Sequence, residues 1–83
     1  MMVTIRFFAA LKEQLDCSSL TIDKTDISDI AALKAHLVDV NPHWKEALLN
    51  NALLASVNHQ MVNEQCAIKQ GDEVAFFPPV TGG

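Results

Sequence analysis

Few side chains in this 83-residue chain are equipped for chemistry, and the sequence does not gather them. Cys17 and Cys66 lie far apart and form no CxxC pair. A reactive cysteine needs a nearby histidine, basic residue or metal to hold it as thiolate, and neither has such a neighbour in sequence. His36, His43 and His59 match no HxxxH spacing, so surface histidines are expected and metal ligands are not. Lys12 and Lys69 stand singly and read as solvated charges. No glycine-rich loop is present to cradle a phosphate. Chemistry carried by side chains is therefore not expected of this chain.

The C-terminal residues give a different signal. The chain reads Phe77-Pro78-Pro79-Val80-Thr81-Gly82-Gly83, and two of its three glycines are its last two residues. A glycine pair lets a backbone enter a slot too narrow for any side chain, or take angles that a Cβ forbids. Pro78 and Pro79 remove two N–H donors, so a strand ending at Phe77 cannot extend its ladder. Paired prolines also favour a stiff, extended exit. The expectation is a folded body over residues 1–77 and a thin, accessible tail over 78–83, with the Gly83 carboxylate as its reactive group. A frayed terminus would also end in glycines. What favours function is the fold in front of the tail.

That fold is read from periodicity. Residues 2–8 alternate, with Val3, Ile5 and Phe7 on one side and Met2, Thr4, Arg6 and Phe8 on the other, as in a strand with one buried face. Residues 9–15 have the composition of a short helix. Leu20 and Ile22 give a second strand over 18–23. A longer helix should begin near Ser28, its hydroxyl capping free N–H groups and Asp29 facing the positive end of the helix dipole. Ile30, Leu33 and Leu37 supply its apolar stripe, and Asn41-Pro42 ends it. A short helical segment follows at 44–49, with Trp44 as a core or edge residue. A strand at 53–57, a turn at 58–60, a short strand at 61–62, a turn at Gly71-Asp72 and a last strand at 73–77 complete the chain. This order predicts an α+β domain of the β-grasp (ubiquitin-like) kind, a mixed sheet with one main helix packed on one face.

The same alternation places Val74 and Phe76 on the core side of the last strand, with Glu73, Ala75 and Phe77 outside. The first and last strands are neighbours in a β-grasp sheet. Phe8 and Phe77 should then form an aromatic pair on the open face, close to where the tail leaves. A contiguous apolar patch beside a reactive end reads as a partner interface.

Composition narrows the partners. Nearly half the residues are apolar, as in a compact domain, and the formal net charge is −4. That balance disfavours nucleic acid and anionic membranes, both of which reward a basic stripe. With no apolar leader, no run of membrane-spanning length and two unpaired cysteines, the expected compartment is the cytoplasm.

The stretch Gly71-Asp72-Glu73-Val74-Ala75-Phe76-Phe77-Pro78-Pro79-Val80-Thr81-Gly82-Gly83 closely resembles the end of the small subunit of molybdopterin synthase, the MoaD family. Ile5-Arg6-Phe7-Phe8-Ala9 and Leu54-Ala55-Ser56-Val57-Asn58 are similar to the same family. A departure falls at Asp16-Cys17-Ser18-Ser19, where the family often has a glycine. The resemblance implies a sulfur carrier. An E1-like adenylating enzyme, using ATP with Mg, would join the Gly83 carboxylate to AMP, and a sulfur donor protein would convert it to a thiocarboxylate. Pro79, Val80, Thr81 and Gly82 would then insert with Gly83 into the large subunit. Sulfur would pass there to cyclic pyranopterin monophosphate, forming molybdopterin. The resemblance also adds Met61 to the partner face with Phe8 and Phe77, places the catalytic side chains on the large subunit, and implies a heterotetramer of two small and two large subunits. No cofactor would be bound by the chain itself. A carrier of the thiamine pathway, a protein modifier joined to lysines through Gly83, and an interaction module with an inert tail remain open. Phe76-Phe77-Pro78-Pro79 is more typical of the molybdopterin family than of the thiamine carrier.

Overall fold

The computed structural model describes residues 2–23, 27–50 and 52–78. Five strands form one mixed sheet: β1 (Met2–Phe7), β2 (Ser19–Asp23), β3 (Leu54–Val57), β4 (Gln60–Val62) and β5 (Glu73–Phe77), in the order β2-β1-β5-β3-β4. Helices α1 (Ala9–Leu15), α2 (Ile30–Val40) and α3 (Lys45–Leu48) complete it, with a 3-10 turn over Pro42–Trp44. The topology is the ubiquitin-like β-grasp that the order of elements predicts. Its central pair is β1 with β5, parallel, in the register Ile5 to Val74 and Phe7 to Phe76. The other neighbouring pairs are antiparallel.

The alternation in β1 holds: Val3, Ile5 and Phe7 are buried, Met2 and Arg6 are exposed and Thr4 is half-buried, while Phe8, just beyond the strand, is exposed. Ile30, Leu33 and Leu37 of α2 close over them. Phe7 anchors the centre, stacked on Phe76 with ring centroids 6.2 Å apart and edge-on to Trp44 at 5.5 Å. Trp44 is thus a core residue, carried by the 3-10 turn rather than by a helix.

The start of α2 departs from expectation. Asp29, not Ser28, is the N-cap, and its Oδ1 accepts the Ala32 N–H at 2.8 Å. Two further N–H groups of the first turn donate to carbonyls of the segment before β5, Ile30 to Cys66 and Ala31 to Glu64. The Ser28 carbonyl meanwhile accepts from Ile68 N–H. Helix start and crossover segment therefore satisfy each other's backbone groups, which a purely local reading omits.

The segment expected as one helix over 44–49 divides into the 3-10 turn and α3, because Pro42 enters at the first helical position. The β3–β4 hairpin turns on Asn58 and His59, both at positive φ (50° and 71°), so β4 already begins at Gln60. Gly71, at φ 85°, makes the turn that leads into β5, and its N–H donates to the Met2 carbonyl at 2.8 Å.

Candidate functional site

Directly paired residues of neighbouring strands share a face, so the register fixes what the open side of the sheet presents. Met61 pairs with Ser56, Ser56 with Ala75, and Ala75 with Arg6, a single row across four strands. Phe77 pairs with Leu54 in the neighbouring row. Phe8 follows Phe7, whose partner is Phe76, and its N–H continues the ladder to the Phe76 carbonyl at 3.2 Å. Phe8 is not the last residue of the strand, as the alternation suggested, but the N-cap position of α1. Ala9, at φ 56°, then turns the chain sharply away. The phenyl group of Phe8 is left half exposed beside the end of β5.

Phe8 and Phe77 line one hollow of about 100 Å³ together with Ser56, His59, Glu73 and Ala75. Met61, at 58% exposure, is paired with Ser56 and so stands on the open face, in the same row as the floor of this hollow. Ala75 does lie on the outer side of β5, yet it is buried, and so is Ser56 beside it. Small residues on central strands are covered by larger flanking side chains, so facing outward does not make them accessible. Reading β3 in alternation from Leu54 would have placed Ser56 here from sequence; His59 depends on the turn geometry.

One charged pair crosses this face. Arg6 Nε and Glu73 Oε2 are 2.6 Å apart, joining β1 to β5 beside the hollow. Half-exposed pairs of this kind add up to about 1 kcal/mol, and here each charge offsets the other beside the hollow.

Pro79, Val80, Thr81, Gly82 and Gly83 lie outside the described residues. Pro78, which follows Phe77 directly, is half-buried. The described chain thus reaches Pro78 at the corner of the sheet held by Phe8 and Phe77.

Other candidate residues are dispersed. Among the described residues no group of three or more His, Cys, Asp or Glu side chains could hold a metal ion. Cys17 and Cys66 are free thiols, each with Sγ on a nearby backbone carbonyl. Folding does bring Lys12 to a shallow surface hollow shared with Cys17, but Glu13 and Asp16 line it too. Lys34 is a residue that the sequence reading passed over. It lies on the buried stripe of α2, 3% exposed, with Nζ 2.6 Å from Glu64 Oε2 and 5.9 Å from the centroid of Phe76. Its place one turn beyond Ile30 was a legible signal. An open groove of about 340 Å³ adjoins it, lined also by Leu53, Val62 and Gln65. No helix among the described residues is long and apolar enough to cross a membrane.

Comparison with known proteins adds to this geometry. A family model described as the ThiS family matches residues 5–83. The molybdopterin synthase sulfur carrier subunit of Escherichia coli (strain K12) is 38% identical over 82 residues, covering 99% of this chain and 100% of that protein. Among solved structures, SAMP1 of Haloferax volcanii superposes with a TM-score of 0.84 at 24% identity, with both chains covered in full. A chain of the complex between subunits 1 and 2 of the molybdopterin-converting factor of Helicobacter pylori matches with a TM-score of 0.70 at 30% identity, again over 100% of each.

Proposed function

The chain belongs to the ThiS family, and from that premise we propose that it is the sulfur carrier subunit of a molybdopterin synthase. The observation that carries the reading is the apolar face at the end of β5, where Phe8 and Phe77 flank a hollow just before the tail begins. The 38% identity to a sulfur carrier subunit supports the same role, as does the likeness to a small subunit found in complex with a second subunit.

In this proposal the folded body is a handle and the Gly83 carboxylate is the working group. A free carboxylate has no good leaving group, so an E1-like adenylating enzyme first joins it to AMP from ATP with Mg, releasing pyrophosphate. A donor protein's persulfide attacks the acyl carbon and expels AMP. A second thiol then cleaves the resulting acyl disulfide, leaving a thiocarboxylate and a disulfide. The thiocarboxylate stores a nucleophilic sulfur as thiolates do. The tail, Pro79 to Gly83, then enters the large subunit. A closed pocket holds sulfur and cyclic pyranopterin monophosphate in attack geometry and limits hydrolysis. Acid–base side chains come from the large subunit, in a heterotetramer of two small and two large subunits. The setting is the cytoplasm, and the carrier itself binds no cofactor.

The test is intact mass after incubation with the adenylating enzyme, ATP and a sulfur source. Replacement of one oxygen by sulfur is the expected result. Conjugates on lysine would instead make the chain a protein modifier, and an unchanged mass would overturn the proposal. Phe77→Ala should weaken binding to the large subunit about tenfold or more while leaving the fold intact, since a half-buried aromatic on an interface is a typical anchor. Equal affinities in a titration would remove Phe77 from the interface.

A further inference from the structure

The hollow on the open face has a shape and a charge balance that specify more than a general apolar contact. Its walls are the rings of Phe8 and Phe77, and its floor is made of the two small, buried residues Ala75 and Ser56 from adjacent strands. Both walls are held by backbone. The Phe8 N–H is bonded to the Phe76 carbonyl, and Phe77 is paired with Leu54. Glu73 at the edge of the hollow is already paired with Arg6 at 2.6 Å, and the remaining polar lining is Ser56 and His59. About 100 Å³ has room for the end of one aliphatic side chain, not for a second strand or a helix.

Resting on the function proposed above, we propose that this hollow is a socket for a single aliphatic side chain projecting from the large subunit, with Ala75 and Ser56 as its specificity-determining floor. The socket lies within the patch formed by Phe8, Phe77 and Met61, so the visiting side chain would be buried at the centre of the contact, where truncation or exclusion costs most. Because the floor residues are small, they fix the depth of the socket. Because they are rigid strand residues, they cannot move aside. Ala75 lines the hollow, so a larger side chain there should take up part of its volume. Docking would thereby discriminate between partners by the size of one side chain, before the tail has made any contact.

The experiment titrates the purified large subunit with the full chain and with four variants, alongside thermal melts. Ala75→Leu and Ser56→Leu should each lower affinity about thirtyfold or more. Thr4→Leu, which places the same leucine side chain on the same face but outside the hollow, should leave affinity within about threefold. Phe77→Ala reports on the face as a whole. If Phe77→Ala weakens binding while both floor variants bind like the wild type, the socket is overturned and the interface stands. If all variants bind like the wild type, the reading of the face as the docking surface falls with it. Should Ala75→Leu not fold, as a lost cooperative melt would show, Ser56→Leu on the neighbouring strand carries the same test.

Discussion

The ion pair between Lys34 and Glu64 offers a sharp energetic test of the fold, because its two ends differ in solvation. The Lys34 side chain is 4% exposed and that of Glu64 is 54% exposed, with Nζ and Oε2 at 2.6 Å. Removing the carboxylate by Glu64→Ala leaves a buried ammonium without its counter-ion, 5.9 Å from the centroid of the Phe76 ring. Losing one partner of a fully buried pair costs about 3–5 kcal/mol. Glu64 is half in solvent already and water can enter the open groove beside Lys34, so about 2 kcal/mol is the expected loss here. Lys34→Met removes the charge but keeps a similar unbranched chain against Phe76, and Glu64 can complete its hydration. Stability should then stay within about 1 kcal/mol of the wild type, in either direction. The double variant should resemble Lys34→Met alone, giving a coupling energy of about 2 kcal/mol. For a domain of this size, Glu64→Ala should lower Tm by about 8–16 °C. Urea unfolding followed by far-UV circular dichroism, with unchanged m-values, measures all three. If Lys34→Met proves more destabilising than Glu64→Ala, burial of the cation is not the controlling term and the argument is refuted.

Two other substitutions probe separate parts of the structure. Asp16 closes α1 in the left-handed region at φ 53°, so Asp16→Gly should raise stability by up to about 1 kcal/mol in the same urea assay. Leu33 is fully buried on the inner face of α2 and Val40 is 61% exposed at its end, so Leu33→Ala should cost about 3 kcal/mol and Val40→Ala about 0.5 kcal/mol or less.

Much of this architecture was legible because its signals are local and repeated. The alternation through Val3, Ile5 and Phe7 sets both the strand and its buried face, and Ile30, Leu33 and Leu37 do the same for α2. Positions decided by distant partners were harder to read. Asp29 rather than Ser28 caps α2 because the crossover segment engages the Ser28 carbonyl and supplies acceptors to the next turns. The departure at Asp16 proved to be a left-handed helix end, the conformation that glycine adopts most easily. Phe8 and Phe77 were placed side by side by alternation and strand order alone. Ser56 and Ala75 could not be recognised as a floor without knowing which larger side chains surround them.

The parallel pairing of β1 with β5 also bears on when the chain becomes competent. Thr4 is registered against Glu73 and Phe7 against Phe76, so the earliest strand to be synthesised waits for the latest. β5 sits between β1 and β3, and its insertion completes the sheet. A truncated or partly opened chain would lack the corner formed by Phe8 and Phe77, whatever its remaining helices do. On the function proposed above, docking through that corner would be conditional on a finished molecule, and a partner that grips it would accept intact carriers with no separate proofreading step.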